Sequence, residues 1–308
     1  MRIGRVAFLS DTGRRRLRNE DAYVCDPPLF AIADGMGGAQ AGEVASRLAA
    51  TAIAQGDLGG DGEEVVTALV RAANESVYRR AVEDPAAAGM GTTVTVALVA
   101  ADASMLTIGH VGDSRAYRIR NGALEQLTAD HSLVAELVRT GRLTPEQAAE
   151  HPHRSVITRA VGTEPVVDVD TFTLETRAGD LYLLCSDGLT DMIADDRILA
   201  VAQSAGEQPD AVARGLVDAA NVAGGADNIT VVAFEIAEGD PAPAPAATVA
   251  TPGLEDVVTA APESDPPPPP DADVRRRGAG KGGRVLALLG LLVLVAVAVV
   301  LVWWSVTR

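Results

Sequence analysis

Apolar and polar positions follow two rhythms along the first part of the chain. Short runs rich in β-branched residues alternate with a period of two, which is typical of strands that bury one face. Longer segments repeat apolar residues every three to four positions, which is typical of amphipathic helices. The predicted strands are 29–33, 92–100, 104–111, 115–120, 181–186 and 228–236, and the predicted helices are 41–55, 63–83, 196–206 and 209–224.

The connections between these elements predict how the strands pair. Short turn-forming pairs, Ala101-Asp102 and Asn121-Gly122, follow two of the predicted strands. Such turns favour antiparallel pairing, because a parallel pair needs a long crossover connection. The predicted helices come in pairs between groups of strands. The sequence therefore predicts an α+β fold, with a central antiparallel β-sandwich flanked by helix layers in the order αββα.

A different pattern occupies the C-terminal part of the chain. Residues 239–284 are rich in proline and alanine and lack periodicity, so they are predicted to form a disordered linker with a basic end. The proline run also suits an aromatic groove on a partner, an alternative that stays open. Residues 285–304 carry no charge, and a helix over them would span the ~30 Å hydrocarbon core of a bilayer. The predicted organisation is a domain over 1–238, this linker, a transmembrane helix over 285–304 and a short tail over 305–308.

Charges beside the apolar segment predict its orientation. Five basic residues lie within 275–284, against one within 305–308. By the positive-inside rule, the N-terminal domain is expected in the cytoplasm and the tail outside it. The N-terminus has no long apolar run, so no signal peptide is expected. The predicted location is the cell membrane, with a single span, and membrane lipid is a predicted partner.

Net charge and cysteine content argue against a nucleic-acid-binding protein, a disulfide-bonded fold and a zinc site. The formal net charge of −16 argues against nucleic acid as a partner, because phosphate backbones bind basic surfaces. The two cysteines, Cys25 and Cys185, lie far apart in apolar surroundings and are expected to be reduced. No cysteine–histidine pattern suggests a zinc site.

Acidic residues mark the ends of several predicted strands. Taken singly, each suits an ordinary turn. Taken together they would repel one another, by ~4 kcal/mol for a pair at ~4 Å and an effective dielectric of 20, unless a cation lies among them. Lys281 is the only lysine, so a divalent cation with oxygen ligands (magnesium, manganese or calcium) is the expected counter-charge. Gly37 and Gly38 are expected to allow the tight turn into the next helix. The acidic residues at the strand ends are Asp34, Asp113, Asp187 and Asp227, and Glu20 and Asp21 lie near the N-terminus.

Ordered motifs give the chain a family resemblance. RNED, ADGMGG, GMGTT, GHVGDSR, CSDGLTD and GGADNIT occur in this order between residues 3 and 236. They resemble the metal-dependent protein phosphatases of type 2C, in their bacterial branch. Over its whole length the chain is similar to membrane-anchored bacterial Ser/Thr phosphatases that oppose receptor-type kinases.

The resemblance implies a centre with two divalent cations, Mn²⁺ or Mg²⁺. By position, Asp34 would bridge both ions, and Gly35 would supply its carbonyl oxygen to one of them. Asp187 and Asp227 would bind the other ion. Asp113, together with Asp187, would bind a third and weaker ion.

The resemblance also implies a substrate site. Arg16, four residues before Glu20, would hold the substrate phosphate, while Glu20 and Asp21 would hold metal-bound waters. Arg14, Arg15 and Arg18 are interpreted as a solvated basic turn. A metal-activated water would hydrolyse phosphoserine and phosphothreonine monoesters without a covalent phosphoenzyme. The predicted catalytic residues are Arg16, Asp34, Asp187 and Asp227.

One position departs from the animal members of the family. They carry a histidine as general acid where this chain has Met36, which has no proton to donate. A metal-bound water, or one of His151 and His153, is the alternative proton source. Both histidines lie in the segment 131–154, called the flap here, which corresponds to a variable substrate-selecting region of the family. They are interpreted as solvated residues, and His110 as a packing residue.

The function predicted from the sequence is a Ser/Thr phosphoprotein phosphatase at the membrane. Its expected partners are phosphorylated proteins, including membrane Ser/Thr kinases, and the catalytic domain is expected to be monomeric. Two alternatives stay open. One is a catalytically silent module that senses phosphoproteins, and the other is a phosphatase for a small-molecule monoester.

Overall fold

The computed structural model of the protein describes residues 1–37 and 41–239. The predicted linker from residue 240 onward, the predicted transmembrane helix over 285–304 and Gly38 lie outside the described residues. Within these residues, no helix combines the length and the apolar character needed to cross a membrane.

The described residues form eleven strands, seven α-helices and one short 3-10 helix over Pro85–Ala87. The strands are β1 (Arg2–Asp11), β2 (Asp21–Asp26), β3 (Leu29–Met36), β4 (Gly91–Thr92), β5 (Val94–Val99), β6 (Met105–Val111), β7 (Arg115–Arg120), β8 (Ala123–Gln126), β9 (Asp170–Glu175), β10 (Leu181–Cys185) and β11 (Ile229–Ala237). The helices are α1 (Ala41–Ala54), α2 (Gly62–Glu83), α3 (Leu133–Arg139), α4 (Pro145–Ala149), α5 (Asp187–Thr190), α6 (Asp195–Ser204) and α7 (Pro209–Val222).

The strands form two antiparallel sheets. The five-stranded sheet has the order β1-β11-β10-β7-β8, and the six-stranded sheet has the order β2-β3-β5-β6-β9 with β4 paired to β3. The pairing is antiparallel throughout these ladders, as predicted from the short turns. Asn121 and Gly122, at the β7–β8 turn, both have positive φ, which a tight hairpin turn requires.

The two sheets pack face to face around an aromatic core. The ring of Phe234 on β11 stacks on Phe30 of β3 at a centroid distance of 4.1 Å and on Tyr182 of β10 at 5.2 Å. All three side chains are almost completely buried. Alternate residues of the same strands face the helices instead, so both faces of each central strand are covered.

Helices cover the outer face of each sheet. On the six-stranded sheet, α1 presents Ala45, Ala49 and Ile53 to the core, and the small alanines allow the helix to lie close to β3. On the five-stranded sheet, α7 buries Val212 and Leu216, together with residues of α6. The layer order is therefore αββα, which confirms the predicted sandwich. Both cysteines are free thiols, as expected.

The predicted strand 92–100 is wrong in one respect, because it is broken in two at Thr93. The backbone N–H of Thr93 donates to the carbonyl oxygen of Asp34 at 2.8 Å, and the Asp34 N–H donates to the Thr93 hydroxyl at 3.0 Å. The chain therefore leaves regular pairing at Thr93 in order to hold the end of β3.

Candidate active site

Acids from both sheets meet at one edge of the sandwich. Asp21 and Asp34 are directly opposite each other on β2 and β3, while Asp113 follows β6. Asp187 begins α5 just after β10, and Asp227 precedes β11. The charges of the other four raise the pKa of Asp34, in addition to the larger effect of burial. The structure therefore brings together Asp21, Asp34, Asp113, Asp187 and Asp227, which we call the acid cluster.

Several carboxylate oxygens of the acid cluster are buried without a partner. One oxygen, Oδ1, in each of Asp21, Asp113 and Asp187 is shut off from solvent and has no hydrogen-bond partner. A buried acceptor without a partner is costly, and a carboxylate more so. A hard divalent cation suits such an all-oxygen set, so the residues present fit the predicted metals. Among the described residues, no three acidic, histidine or cysteine side chains are already arranged so that they could hold a metal ion together.

Hydroxyl groups fix the orientation of Asp21. Its Oδ2 accepts hydrogen bonds from Ser186 Oγ at 2.9 Å and from Thr230 Oγ1 at 2.6 Å. Burial, opposed by these two bonds, raises the pKa of Asp21 to about 6. Since Thr230 lies on β11 and Ser186 directly follows β10, both in the five-stranded sheet's half of the sandwich, they tie Asp21 of the other sheet into the acid cluster. Sequence reasoning missed Ser186 and Thr230, although each lies within a motif that supplies an acid.

The backbone of Asp34 is clamped from two sides. Besides its two contacts with Thr93, its carbonyl oxygen accepts a hydrogen bond from Thr92 Oγ1 at 2.8 Å. The Thr93 hydroxyl is also 2.7 Å from Ser114 Oγ, next to Asp113. Thr93 and Ser114 therefore link the strand that carries Asp34 to the loop that carries Asp113. Sequence reasoning gave the GMGTT motif no role, and this clamp supplies one.

Glycine at position 35 is required by a close approach of two elements. A Cβ atom there would lie 2.1 Å from the carbonyl oxygen of Gly42 in α1. The Gly35 N–H donates to the carbonyl oxygen of Glu20 at 3.1 Å. Gly37 has φ of +135°, a backbone conformation that favours glycine. The binding of a metal by the Gly35 carbonyl stays a prediction.

Arg16 lies beside the acid cluster. Its Nη2 donates to Asp227 Oδ2 at 2.6 Å, and about half of the side chain remains exposed. Arg14 points elsewhere, since its nearest acid is Asp11 at 3.4 Å. Arg16 is thus the arginine of this turn that reaches the acids while leaving donors free for a ligand, where the resemblance placed it.

An asparagine braces the segment that carries Glu20. Asn228 Oδ1 accepts the Glu20 N–H at 2.8 Å, and Asn228 Nδ2 donates to the carbonyl oxygens of Arg18 at 2.8 Å and of Thr12 at 3.0 Å. Burial raises the pKa of the Glu20 carboxyl. The brace sets Glu20 next to the acid cluster. The assignment of Glu20 and Asp21 to metal-bound waters stays a prediction.

One further acid escaped the sequence analysis. Burial raises the pKa of Asp191, and the charges of Arg154 and Arg115 oppose that effect. Arg154 Nε of the flap lies 3.9 Å from Asp191 Oδ2. The signal was present, because Asp191 is the last residue of the CSDGLTD motif.

The flap is more ordered than its polar composition indicated. It contains α3 and α4, and a bridge between Ser132 and Ile157 closes its base. His153 is exposed, as interpreted from the sequence, whereas His151 is half-buried, and the two rings contact each other. His131 is instead buried, and its Nδ1 accepts the Gly112 N–H at 3.0 Å.

His110 is buried in the same region, as expected of a packing residue. Its Nδ1 lies 2.9 Å from Thr95 Oγ1, and its ring is 4.8 Å from that of His131. Burial, followed by the charge of His131, lowers the pKa of His110 to about 4. The ring is therefore neutral at physiological pH.

Comparison with known proteins agrees with this geometry. The family described as Protein phosphatase 2C matches residues 13–214. This chain belongs to the protein phosphatase 2C family. A Serine/threonine phosphatase stp of Listeria monocytogenes is 40% identical over 249 residues, which cover 74% of this chain and 94% of the relative.

Two mycobacterial comparisons extend the family assignment. Serine/threonine protein phosphatase PstP of Mycobacterium tuberculosis is 44% identical over 239 residues, covering 77% of this chain. This chain spans only 46% of that relative's length. The crystal structure of the M. tuberculosis phosphatase PstP/Ppp superposes with a TM-score of 0.72 at 42% identity, covering 77% of this chain and all of that one.

A metal-bound relative bears on the cofactor prediction. The catalytic domain of PstP in complex with two manganese ions matches with a TM-score of 0.70 at 40% identity, covering 77% of this chain and 99% of that one. The predicted family is confirmed, and the predicted pair of divalent cations is present in this relative.

Proposed function

We propose that this chain hydrolyses phosphoserine and phosphothreonine monoesters in proteins, with divalent metal as cofactor. The observation that carries the proposal is the acid cluster, which the fold assembles from two sheets with Arg16 at its edge. Proteins of this family at 37–44% identity are named as protein phosphatases, several of them specifically for serine/threonine.

Charge explains why both metal and Arg16 are needed. A phosphate monoester carries close to two negative charges, and the acid cluster alone would repel it. Two divalent cations, held by Asp34, Asp187 and Asp227, would offset the carboxylate charge and supply the Lewis acidity that makes water a stronger nucleophile. Arg16 then binds the phosphoryl oxygens, and Asp227 keeps the guanidinium aimed at them. Ser186 and Thr230 hold Asp21 in place within the acid cluster.

The proposal also includes the location of the domain. The uncharged segment 285–304 and the basic residues before it support a single membrane span with the catalytic domain in the cytoplasm. Membrane Ser/Thr kinases and their substrates would then be within reach of the enzyme. Fractionation of cells that express the chain with and without residues 285–304 tests this part, and soluble full-length chain would contradict it.

One assay tests the proposed activity. The full chain, purified in detergent, should hydrolyse p-nitrophenyl phosphate and phosphothreonine peptides when Mn²⁺ is added, and should lose this activity with a chelator. Binding of phosphopeptide without turnover would favour the silent sensing module instead. Turnover of small monoesters but not of phosphopeptides would favour the small-molecule phosphatase.

The role of Arg16 has a matched control in Arg14. Replacing Arg16 with alanine should raise KM for a phosphopeptide by about tenfold or more, because a charge-assisted bond to phosphate contributes ~1.5–3 kcal/mol. Arg14→Ala removes the same charge from the same exposed turn and should change KM by less than about twofold. Steady-state kinetics of both variants measure the difference. Equal effects would show that Arg16 is not the phosphate ligand.

A further inference from the structure

A cavity of about 220 Å³ lies between Met36 of β3 and the segment that follows the flap. Its walls include Met36, Ile157, Arg159, Glu164, Val166 and Asp168. We call it the Met36 cavity. Its volume suits one long side chain rather than a whole ligand.

The Met36 cavity lies within reach of a bound phosphopeptide. Met36 is two residues beyond Asp34 on β3, and an extended strand advances ~3.3 Å per residue. Residue 36 pairs with Gly91, and Thr92 bridges to Val161, which fixes the far wall against the same strand. A side chain in the cavity would therefore belong to a residue one or two positions from the phosphorylated one.

The wall that carries Glu164 is held rigidly. Asn74 of α2 is only 2% exposed, and its Nδ2 donates to the carbonyl oxygen of Glu164 at 3.0 Å. Asn74 Oδ1 accepts the Gly162 N–H at 2.7 Å. The loop thus keeps its shape through a buried amide, so the cavity is a built feature of the fold.

The charged side chains of the Met36 cavity that have no ion-pair partner among the described residues are acidic. Arg159 is already paired, because its Nη1 donates to Asp170 Oδ1 at 2.5 Å. The carboxylates of Glu164 and Asp168 are exposed, and the described residues provide no ion pair or hydrogen bond for either. Val166, 71% exposed, adds an apolar surface beside them.

We propose that the Met36 cavity is a specificity subsite for a basic residue, arginine or lysine, that flanks the phosphorylated residue of the substrate. The apolar stem of the side chain lies along Met36 and Val166, and its cation lies between the carboxylates of Glu164 and Asp168. The inference rests on the proposed phosphatase function and names a feature of its substrates. It also gives Met36 a role that does not require a proton.

Matched phosphopeptides test the subsite on the full chain with Mn²⁺. A set that differs only in having arginine, alanine or glutamate at one of the two positions on either side of phosphothreonine should show one position with a preference. There, KM should be about fivefold to tenfold lower with arginine than with alanine, as two partly exposed ion pairs allow. The preference should shrink as salt is added.

Paired variants locate the preference. Glu164→Gln combined with Asp168→Asn should reduce the arginine preference to within about twofold, and Glu164→Lys with Asp168→Lys should favour the glutamate peptide. Asp196→Asn with Asp218→Asn, which changes the same charge in the opposite helix layer, should leave the preference intact. Turnover of p-nitrophenyl phosphate should be unchanged in all variants, which checks folding.

Two outcomes would overturn the subsite and leave the phosphatase function standing. One is equal turnover of all peptides by the unaltered protein, and the other is a preference that survives neutralisation of both acids. Absence of activity on every phosphomonoester, with the protein folded and Mn²⁺ bound, would instead overturn the proposed function itself.

Discussion

At the scale of single residues, the charged carboxylates of the acid cluster lower the stability of the metal-free fold. Burial raises the pKa of Asp21 and of Asp113 to about 6, and it raises the pKa of Asp187 well above its usual range. A carboxyl whose folded pKa is raised contributes stability below its unfolded pKa and loses it as pH rises. The metal-free protein is therefore strained by its own acids at neutral pH, and the strain is available to favour metal binding.

Asp187→Asn should separate stability from function. In the presence of a chelator, removing this charge should raise the free energy of unfolding by about 1–2 kcal/mol, since an unpartnered buried carboxylate is costly. With Mn²⁺, the unaltered protein should gain stability while the variant gains little and shows no turnover. Urea denaturation with and without metal measures both effects. Asp218→Asn, on the exposed face of α7, is the control, and a destabilised Asp187→Asn in chelator would refute the argument.

His110 gives the fold a pH dependence of the opposite sign. Its folded pKa of about 4 lies below the ordinary value of 6.5, so its contribution is complete above pH 6.5 and is lost as pH falls towards 4. The difference corresponds to about 3 kcal/mol. The neighbouring charges that oppose the shift are Asp130 and Asp170.

Replacement of His110 by glutamine should flatten this dependence. The free energy of unfolding of the variant should fall less steeply than that of the unaltered protein between pH 6.5 and pH 4. His153→Gln, at an exposed position, should keep the original slope. Chemical denaturation across this range provides the measurement, and parallel slopes for the two variants would contradict the assignment.

The acids themselves could be predicted from the sequence, while their supports could not. Asp34 and Asp187 stand out because each ends a strongly apolar strand. Ser186, Thr230 and Asn228 are residue types that occur in any turn. Only the tertiary fold shows that Ser186 and Thr230 bind Asp21 and that Asn228 braces the backbone of the segment that carries Glu20. The missing information was therefore contact across the sandwich rather than local pattern.

At the scale of elements, the sequence predicted the central strands and missed the edges. β3, β5, β6, β7, β10 and β11 were all predicted within a few residues of their observed bounds. The four strands that were not predicted, β1, β2, β8 and β9, are the four edge strands of the two sheets. An edge strand has one partner and a more exposed surface, so its apolar alternation is weak. The strand β9, for example, contains no fully buried residue.

The break between β4 and β5 predicts an effect of Thr93. Thr93→Val keeps the shape of the side chain but removes the hydroxyl that accepts the Asp34 N–H and contacts Ser114 Oγ. We expect a loss of about 1–3 kcal/mol in stability, because a buried N–H loses its acceptor, and weaker binding of Mn²⁺. Calorimetric titration of the chelator-treated protein measures the binding. Thr51→Val, at a half-exposed position of α1, is the control. Unchanged Mn²⁺ binding in Thr93→Val would show that the Thr93 hydroxyl does not support the metal site.

At the scale of the whole molecule, the site depends on the contact between the sheets. Asp21 and Asp34 lie on the six-stranded sheet, and Asp113 lies in the loop that leads from β6 of that sheet to β7 of the other. Asp187 follows β10 and Asp227 precedes β11, both strands of the five-stranded sheet. The aromatic stack of Phe30, Phe234 and Tyr182 is a main contact that brings the two sheets together. The arrangement of the acid cluster is therefore coupled to the packing of the aromatic core between the sheets.

Phe234→Ala should test this coupling. The variant should lose about 3–5 kcal/mol of stability, as expected for a large aromatic removed from a core. It should also bind Mn²⁺ less tightly, although Phe234 is a core residue and not one of the acids. Val222→Ala, at a position 88% exposed, should change neither quantity. Denaturation and metal titration on both variants measure the outcome, and intact metal affinity in Phe234→Ala would show that the edge is independent of the core.

The position of β11 has a consequence for how the chain folds during synthesis. This strand is made last among the described elements, yet it lies between β1 and β10, and β1 has no other partner in its sheet. At a ribosomal rate of ~5–20 residues per second, β1 waits roughly 10 s or more for the strand that completes it. Until β11 is made, the growing chain therefore exposes the unpaired edge of β1. The yield of folded protein in the cell then depends on how well that edge is kept from pairing with neighbouring nascent chains.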